Sequence, residues 1–283
     1  MQQKCFKWQF YKPTTTAERF INFLNQQTSM EITPGITKRH QMISCDFEGK
    51  SYIIKRFSPS DNRLWARKIE LTLKSYWISG AQQSFRGACW LWEAGIPGII
   101  PTAWAVRGHG YHQVSYFVYE RIEAQGEVKG FLQQDSLSVK QEHQLIQDMA
   151  KISLQVHQAG YRHTDIVPHN FLVQVQPQGQ FKVLIIDTDK VKKTSIFGQV
   201  FKGSKLFFDL RCFRRLRLSP QQLSLFFHQY FQGDTRLRYL QQWYFWVNGG
   251  FNLYKRKKMK QRLPDNLLKL NLTLLLEQQS QKN

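Results

Sequence analysis

The sequence predicts an α+β fold with a small, strand-rich first half and a mainly helical second half. Most of the strand-like segments precede residue 122, and helical periodicity dominates after it. With 283 residues and 42% hydrophobic content, the chain can bury a substantial core. We divide it into an N-terminal helical extension (1–30), a first lobe (31–122) and a second lobe (123–283) whose C-terminal region is basic and aromatic.

The extension contains one helical pattern. Thr15 and Glu18 have the spacing of a capping box, and Phe20, Ile21 and Leu24 follow on one helical face. This segment therefore predicts a helix with an apolar side.

Two strands and a helical stretch follow. From about Lys38 to Phe57 the pattern predicts two strands around the Glu48-Gly49-Lys50 turn, which places Lys55 in the middle of the second strand. Residues 63–94 are predicted to be mainly helical, with Gly95 just past the end and Pro97 beyond it. The apolar segment 116–119 then predicts a buried strand that leads into Glu120.

The second half begins with a long predicted helix. Ser138 and Gln141 can cap its start, and Gly160 can end it. Between them the apolar residues keep helical spacing, so they predict one buried stripe: Leu145, Met149, Ile152 and Val156.

A hairpin is predicted directly after the segment His163-Thr-Asp-Ile-Val-Pro-His-Asn170. Its strands are 171–175 and 181–186, and its loop is the four residues 177–180. In such an antiparallel pair residue 176 faces residue 181, and counting back places Asn170 opposite Asp187. The amide and carboxylate oxygens of these two residues suit Mg²⁺, which takes one or two protein oxygens and completes its shell with phosphates and water.

The spacing His-x-Asp-x4-Asn is the catalytic-loop signature of protein kinases, in which the aspartate is the base and the asparagine binds magnesium. Asp165 would then accept a proton from a substrate hydroxyl. For His163 we expect a structural role, packing against the loop and hydrogen-bonding to it. Lys55 alone predicts only a solvated strand residue, but together with this loop it predicts a phosphate contact. Asp189 is expected to cap the chain or pair with Lys190.

The chain resembles the lipopolysaccharide core kinases of Gram-negative bacteria, sugar kinases that act on heptose or on 3-deoxy-D-manno-octulosonic acid (Kdo). The resemblance runs from about Gly35 to Leu216. Besides the loop of residues 163–170 it is carried by these motifs: Tyr52-Ile-Ile-Lys55-Arg-Phe, Glu93-Ala-Gly-Ile-Pro97, Tyr116-Phe-Val-Tyr-Glu120, His157-Gln-Ala-Gly160, Ile185-Ile-Asp187-Thr-Asp and Asp209-Leu-Arg211.

This resemblance implies a bilobal protein-kinase-like fold with ATP between the lobes. It places Lys55 on the ATP phosphates and Asp165 as the base, and it gives Asn170 and Asp187 to Mg²⁺. The strand that ends at Glu120 resembles the hinge that holds adenine through backbone groups.

Two features depart from the kinase pattern. The glutamate that pairs with the strand lysine in protein kinases falls at Ser84 here, so Glu70 or Glu93 substitutes for it, or Lys55 is held in another way. A GxGxxG loop before Lys55 is also missing, since only Pro34-Gly35-Ile-Thr37 stands there.

The net charge of +20 favours a polyanionic partner, and charge alone leaves nucleic acid, anionic lipid and phosphorylated glycan open. A basic cluster follows a run of aromatic residues near the C-terminus. Its default interpretation is a solvated tail, with the aromatics in the core; the functional interpretation is a membrane-surface patch. The residues are Trp243 to Trp246, Phe251, Lys255 to Lys258, Lys260 and Arg262, extended by Lys190, Lys192, Lys193, Arg211, Arg214, Arg215 and Arg217.

No secretory signal or membrane-spanning stretch is predicted, and the four scattered cysteines are expected to be reduced and structural. We therefore place the chain in the cytoplasm. A lipid-linked acceptor, as the resemblance implies, would place it peripherally at the inner face of the inner membrane.

The leading hypothesis is an ATP- and Mg²⁺-dependent kinase that phosphorylates a sugar hydroxyl of the lipopolysaccharide core or of a lipid A-linked acceptor. Nucleic acid is not expected as a partner under this hypothesis. Two alternatives stay open at this point: a protein or small-molecule kinase of the same fold, and a non-catalytic kinase-like module that docks on anionic membrane or RNA.

Overall fold

The computed structural model describes residues 6–12, 17–30, 42–61, 64–134, 136–176, 180–194, 212–213, 216 and 218–232. Several predicted features lie outside these residues: Thr15, the segment 34–37, Asp209, Arg211, Arg214, Arg215, Arg217 and the aromatic and basic cluster at 243–262. Among the described helices none is long and apolar enough to cross a membrane.

The described elements run in the following order along the chain. The strands are β1 (Lys7–Phe10), β2 (Met42–Phe47), β3 (Lys50–Phe57), β4 (Pro101–Arg107), β5 (Val114–Glu120), β6 (Gly126–Glu127), β7 (Tyr161–His163), β8 (Phe171–Val175), β9 (Phe181–Ile185) and β10 (Val191–Lys193). The helices are α1 (Ala17–Met30), α2 (Trp65–Ser75), α3 (Gly80–Glu93), α4 (Val128–Phe131), α5 (Val139–Gln158) and α6 (Pro220–Tyr230). Four short 3-10 turns span Pro59–Asp61, Gly110–His112, Pro168–Asn170 and Thr188–Lys190.

The chain divides into two units. The first comprises Met1–Gln125, Leu172–Gln174 and Leu184–Lys193, and the second comprises Gly126–Phe171, Val175–Val183 and Thr194–Asn283.

A five-stranded antiparallel sheet of order β1-β4-β5-β3-β2 is the framework of the first unit. The predicted hairpin of β2 and β3 is confirmed. Its two turn residues, Glu48 (φ 47°) and Gly49 (φ 77°), both have positive φ, as a two-residue hairpin turn requires. Lys55 lies in the middle of β3, where it pairs with Phe117 of β5.

The two faces of this sheet bury different partners. Phe20 and Leu24 of α1 pack on one face, among Ile54, Ala103 and Val118. On the opposite face α3 supplies Ala81 and Ala88, which pack with Trp104 and Phe117. Because paired residues of neighbouring strands share a face, Lys55 projects to the same side as Phe117, the side that α3 covers.

The first thirty residues contribute directly to this unit, although the sequence set them apart as an extension. Strand β1 was not predicted, and it pairs with β4 at the edge of the sheet. Trp8 donates a hydrogen bond to Asn25 of α1 at 2.9 Å, so strand and helix are also tied to each other.

The stretch predicted as helical from 63 to 94 is two helices, because Ser79 interrupts it. The Ser79 hydroxyl accepts a hydrogen bond from the Gln82 N–H at 3.0 Å and starts α3 as an N-cap. The predicted end is confirmed. Gly95 has φ 69° and donates to Trp92 O, while Ile96 donates to Leu91 O, which are the two bonds of a Schellman motif.

Helix α5 is the predicted long helix of the second unit. Ser138 and Gln141 form the reciprocal capping box, and the predicted apolar stripe is buried. Gly160 ends the helix with φ 80°. Helix α6 packs against α5 through an aromatic cluster around Phe213, Phe226 and Tyr230, whose hydroxyl lies 2.6 Å from Nδ1 of His157.

Candidate active site

Lys55 and Asp187 form a salt bridge although 132 residues separate them in the chain. The Lys55 Nζ donates to the Asp187 Oδ1 at 2.6 Å, and the two side chains are 13% and 28% exposed. The ring of Phe57 lies 5.3 Å from the same ammonium group. Lys55, predicted for the phosphates, and Asp187, one of the two residues predicted for the metal, are therefore neighbours within the first unit.

The backbone around Asp187 is held on both sides. Before it, the Ile185 N–H donates to Pro97 O at 2.9 Å, and Gly98 and Ile185 form a parallel bridge. After it, the Thr188 hydroxyl donates to Ser84 O of α3 at 2.8 Å. Asp187 itself is left-handed, with φ 60° and ψ 53°. Such a conformation costs about 1–3 kcal/mol in a non-glycine residue and persists only where its surroundings enforce it.

The segment after Asp187 is a 3-10 turn over Thr188–Lys190 rather than an extended chain. Asp189 does not cap this turn; its Oδ2 lies 3.0 Å from Lys190 Nζ, so the predicted pairing with Lys190 is confirmed.

The acidic partner of Lys55 does not come from α2 or α3. Glu70 forms a salt bridge with Arg67 at 2.6 Å, and Glu93 is hydrogen-bonded to Tyr11. Ser84, at the position of the kinase glutamate, is 1% exposed, and its hydroxyl has no hydrogen-bond partner among the described residues. Of the alternatives raised by the sequence, Lys55 is held in another way, by Asp187.

Glu120 lies at the end of β5, and the sheet already uses the N–H groups there. Its own N–H donates to Ile100 O at 3.1 Å, and the next N–H, of Arg121, donates to Ser51 O at 2.8 Å. The Glu120 carboxylate accepts a hydrogen bond from Lys50 Nζ at 2.9 Å. An adenine base at this strand end would therefore have to use carbonyl groups or the N–H groups beyond Arg121.

Tyr119 was not singled out by the sequence as a site residue. Burial, followed by the charge of the nearby Asp187 carboxylate, raises the pKa of Tyr119 to about 12. The phenol therefore stays neutral, and its hydroxyl lies 4.0 Å from the sulfur of Met42.

The loop that carries Asp165 is held together by its own hydrogen bonds, all within the second unit. His163 is fully buried, and its Nδ1 accepts from the Asp165 N–H at 3.4 Å, which confirms the predicted structural role. The Asn170 Nδ2 donates to Asp165 O at 2.8 Å, and the Asn170 N–H donates to Val167 O at 2.9 Å. The loop is thus organised before any substrate binds.

This arrangement orients the Asn170 amide. Since its nitrogen donates to Asp165 O, its oxygen is the group left to bind a cation. In the first unit, the Asp187 carboxylate is another oxygen of the kind that Mg²⁺ prefers. The chemistry of each oxygen fits Mg²⁺, and the described residues contain no cluster of three or more His, Cys, Asp or Glu that could hold a metal ion.

The predicted strand pairing of Asn170 with Asp187 is wrong by one residue. At the predicted hairpin the Gln176 N–H donates to Gln180 O at 2.7 Å, so residue 176 pairs with 180 and not with 181. Asn170 also lies in a 3-10 turn and not in the strand, where strand counting fails. A metal site shared by the two residues stays a prediction that rests on their chemistry.

The sequence analysis did not single out Gly87, which lets α3 pack against the backbone next to Asp187. A Cβ added at Gly87 would lie 2.2 Å from Thr188 O, so only glycine lets α3 approach the turn after Asp187. The sequence did contain a signal for this role. A glycine inside a predicted helix lowers helix stability by about 1 kcal/mol relative to alanine, so its presence there suggests a packing requirement.

The fold is kinase-like. Its features are an antiparallel sheet with a lysine on strand β3, a helical second half and a preorganised His-x-Asp-x4-Asn loop. A sequence model of the lipopolysaccharide kinase (Kdo/WaaP) family matches residues 77–230, more than half of the chain. The chain therefore belongs to the lipopolysaccharide kinase (Kdo/WaaP) family, and it is a kinase with an alcohol group as acceptor.

A similar solved structure agrees with this fold. It is described as WaaP in complex with acyl carrier protein, and it shares 18% sequence identity with a TM-score of 0.54. The match covers 84% of this chain and 96% of the other. No curated protein is similar enough to the chain to count as a match.

Proposed function

We propose that the chain transfers the γ-phosphoryl group of ATP to a hydroxyl of heptose or Kdo in the lipopolysaccharide core. The observation that carries this proposal is the loop of the second unit, in which Asn170 donates to Asp165 O and His163 accepts from the Asp165 N–H. These two bonds fix the backbone of Asp165 from both sides, so its carboxylate has a defined place from which to act.

Asp165 would act as the base in this reaction. Its carboxylate is partly exposed, so it can accept a hydrogen bond from the sugar hydroxyl and take the proton as the oxygen attacks phosphorus. A positioned base of this kind contributes about 10²- to 10⁴-fold to a reaction rate. The new bond joins the sugar oxygen to the γ-phosphorus, and the bond to the β–γ bridging oxygen breaks with ADP as leaving group.

Lys55 and Asp187 would serve the nucleotide. The ammonium group of Lys55 can neutralise ATP phosphates, since it is held on a buried strand and mostly shielded from water. Asn170 and Asp187 would hold Mg²⁺, which neutralises further phosphate charge when bound. Asp187 would then exchange part of its interaction with Lys55 for the metal, and both cations would meet the phosphates.

The acceptor and its location are proposed on the family and the charge. The family matched is defined by lipopolysaccharide kinases, and the net charge of +20 suits a phosphorylated, lipid-linked acceptor. We place the reaction at the cytoplasmic face of the inner membrane, where ATP and a lipid-linked acceptor are both present.

The test is phosphate transfer from ATP to purified lipopolysaccharide core in the presence and absence of Mg²⁺. We expect transfer by the wild type with Mg²⁺ and a loss of about 10²-fold or more in Asp165→Asn, because the proton acceptor is removed while the shape is kept. The matched control is Asp46→Asn, an exposed aspartate of β2, which should transfer phosphate like the wild type.

Three results would contradict the proposal. Unchanged transfer by Asp165→Asn would remove the assigned base. Phosphate found on polypeptide with none on core sugar would favour a protein kinase of the same fold. A chain whose melting temperature does not respond to ATP and Mg²⁺ would support a non-catalytic module.

A further inference from the structure

Helix α2 exposes an apolar stripe that no function assigned so far uses. Eleven large hydrophobic residues are exposed among the described residues, and six of them fall within residues 64–77. Trp65 is 74% exposed and Trp77 is 80% exposed. Scattered exposed hydrophobic residues are normal, but a concentration on one short segment marks an interaction site. The six are Leu64, Trp65, Ile69, Leu73, Tyr76 and Trp77.

The stripe follows one side of the helix. Trp65, Ile69 and Leu73 are spaced four residues apart, and Tyr76 and Trp77 continue the same side past the helix end. The opposite side is anchored to the first unit. The hydroxyl of Ser75 donates to Gly110 O at 3.2 Å, and Gln113 Nε2 donates to Ser75 O at 2.9 Å. Polar groups therefore dock this side of the helix, where Leu71 is partly buried, and the residues of the stripe face outward.

Basic side chains border the stripe. Arg67, Lys68 and Lys74 lie on α2 itself. The pKa of Lys74 is lowered by burial first, and then by the positive charges of Lys192, Lys190 and Arg67, so these cations are close to one another. Two acids of this region are paired with two of the bases, Glu70 with Arg67 and Asp189 with Lys190. The border of the stripe therefore carries an excess of positive charge.

We propose that this surface, the stripe of α2 with its basic border, seats the kinase on an anionic lipid bilayer. Tryptophan and tyrosine prefer the headgroup layer, and each Lys or Arg near anionic lipid adds about 1 kcal/mol of attraction. A helix with an apolar side, aromatic residues and flanking cations is the form that lies in the membrane interface. The net charge of +20 is complementary to an anionic surface. This inference rests on the proposed function, because a lipid-linked acceptor brings the kinase to a membrane.

The surface is connected to the candidate site within the same unit. Lys74 Nζ donates to Gln83 Oε1, and Gln83 Nε2 donates to Asp189 O, two residues after Asp187. A helix seated on the bilayer would thus hold the Asp187 segment at a fixed height above the lipid headgroups.

The experiment is flotation of the full chain with vesicles of phosphatidylcholine containing about 30% phosphatidylglycerol, compared with vesicles of pure phosphatidylcholine. We expect binding to the anionic vesicles and a weaker affinity for the neutral ones. The double variant Trp65→Ser, Trp77→Ser should lose at least about tenfold in affinity, since two exposed indoles no longer insert. The matched control Trp92→Ser, at an exposed tryptophan of α3, should bind like the wild type.

A soluble, lipid-free core oligosaccharide separates this inference from the proposed function. Its phosphorylation should be the same in the wild type and in the double variant, because neither Trp65 nor Trp77 is among the residues assigned to ATP or to proton transfer. Vesicle binding that persists without any kinase activity would leave the bilayer surface standing and refute the proposed function.

The inference itself is overturned by equal vesicle affinity of wild type and double variant, with both melting at the same temperature. It is also overturned by equal binding to anionic and neutral vesicles. A third contrary result would be a double variant that keeps its vesicle affinity and loses binding to purified acyl carrier protein, which would make the stripe a protein interface.

Discussion

The salt bridge between Lys55 and Asp187 places a cation and a carboxylate at one point of the first unit. In protein kinases a helix glutamate holds the strand lysine. Here the equivalent position is Ser84, whose buried hydroxyl has no partner among the described residues. The lysine is thus positioned by the aspartate and by strand pairing with Phe117, and helix α3 contributes a backbone carbonyl to Thr188 instead of a carboxylate.

Replacing Lys55 by alanine should lower kcat/KM for ATP by about 10²- to 10³-fold, the effect of removing one preorganised charge from a transition state. It is measured as initial rates of transfer to core acceptor over a range of ATP concentrations. Ser84→Ala is the control, and we expect wild-type activity with equal or slightly higher stability, since it removes a buried hydroxyl that lacks a hydrogen bond. A rate loss in Ser84→Ala as large as that in Lys55→Ala would show that the serine replaces the glutamate in function.

At the scale of elements, the contact between α3 and the turn Thr188–Lys190 supports the left-handed Asp187. Gly87 permits this contact because a side chain there would collide with Thr188 O. Ser84 lies three residues before Gly87 on the same face of the helix, and its carbonyl oxygen accepts a hydrogen bond from the Thr188 hydroxyl.

Gly87→Ala should destabilise the protein by about 1–3 kcal/mol, as overpacking does, and lower activity with it because the turn after Asp187 must move. The control is Gly130→Ala in α4, where an added Cβ meets no atom within 4 Å. That variant should be neutral or slightly stabilising because alanine favours helix. Denaturant unfolding and the transfer assay are the measurements; equal unfolding midpoints for the two variants would refute the packing argument.

At the scale of the whole molecule, each unit carries a different part of the predicted machinery. Lys55, Glu120 and Asp187 belong to the first, and Asp165 and Asn170 belong to the second.

The described cysteines are free and buried: Cys45, Cys89 and Cys212.

Stability should fall as the pH rises above 9. Burial raises the pKa of Cys45 to about 11 and that of Cys89 to about 12, from an ordinary value of 9.0. From pH 9 upward the thiols lose protons in the unfolded chain but not in the folded protein. Each thiol therefore lowers the free energy of unfolding by on the order of 1 kcal/mol per pH unit, until the pH reaches its pKa in the folded protein. Unfolding in urea at pH 8, 9, 10 and 11 measures this.

The double variant Cys45→Ala, Cys89→Ala should lose less stability over the same pH range, whatever its stability at pH 8. At pH 8 both thiols of the folded wild type should also resist iodoacetamide and react once it is unfolded, as read by peptide mass spectrometry. Rapid alkylation of the folded protein at Cys45 or Cys89 would contradict the buried, protonated state.

Local sequence signals predicted the elements whose cause is local. The cap of Ser138 and Gln141, the ends at Gly95 and Gly160 and the turn at Glu48-Gly49 are set by residues within one turn of chain, and each is confirmed. Strand β1 and the break at Ser79 were missed. An edge strand of four residues shows its purpose only when its partner β4 is known. The Ser79 cap lay inside a longer apolar pattern that concealed it.

The sequence by itself determined the chemistry available to this kinase, because the residue types and their spacing along one loop, from His163 to Asn170, are covalent facts. Tertiary structure decided which groups meet. Only folding brings Lys55 to Asp187, turns the chain after Asp187 into a 3-10 turn and leaves Ser84 without a charged partner among the described residues. The reason is that contacts between residues 132 apart depend on how sheet and helix pack around a shared core, which no local pattern encodes.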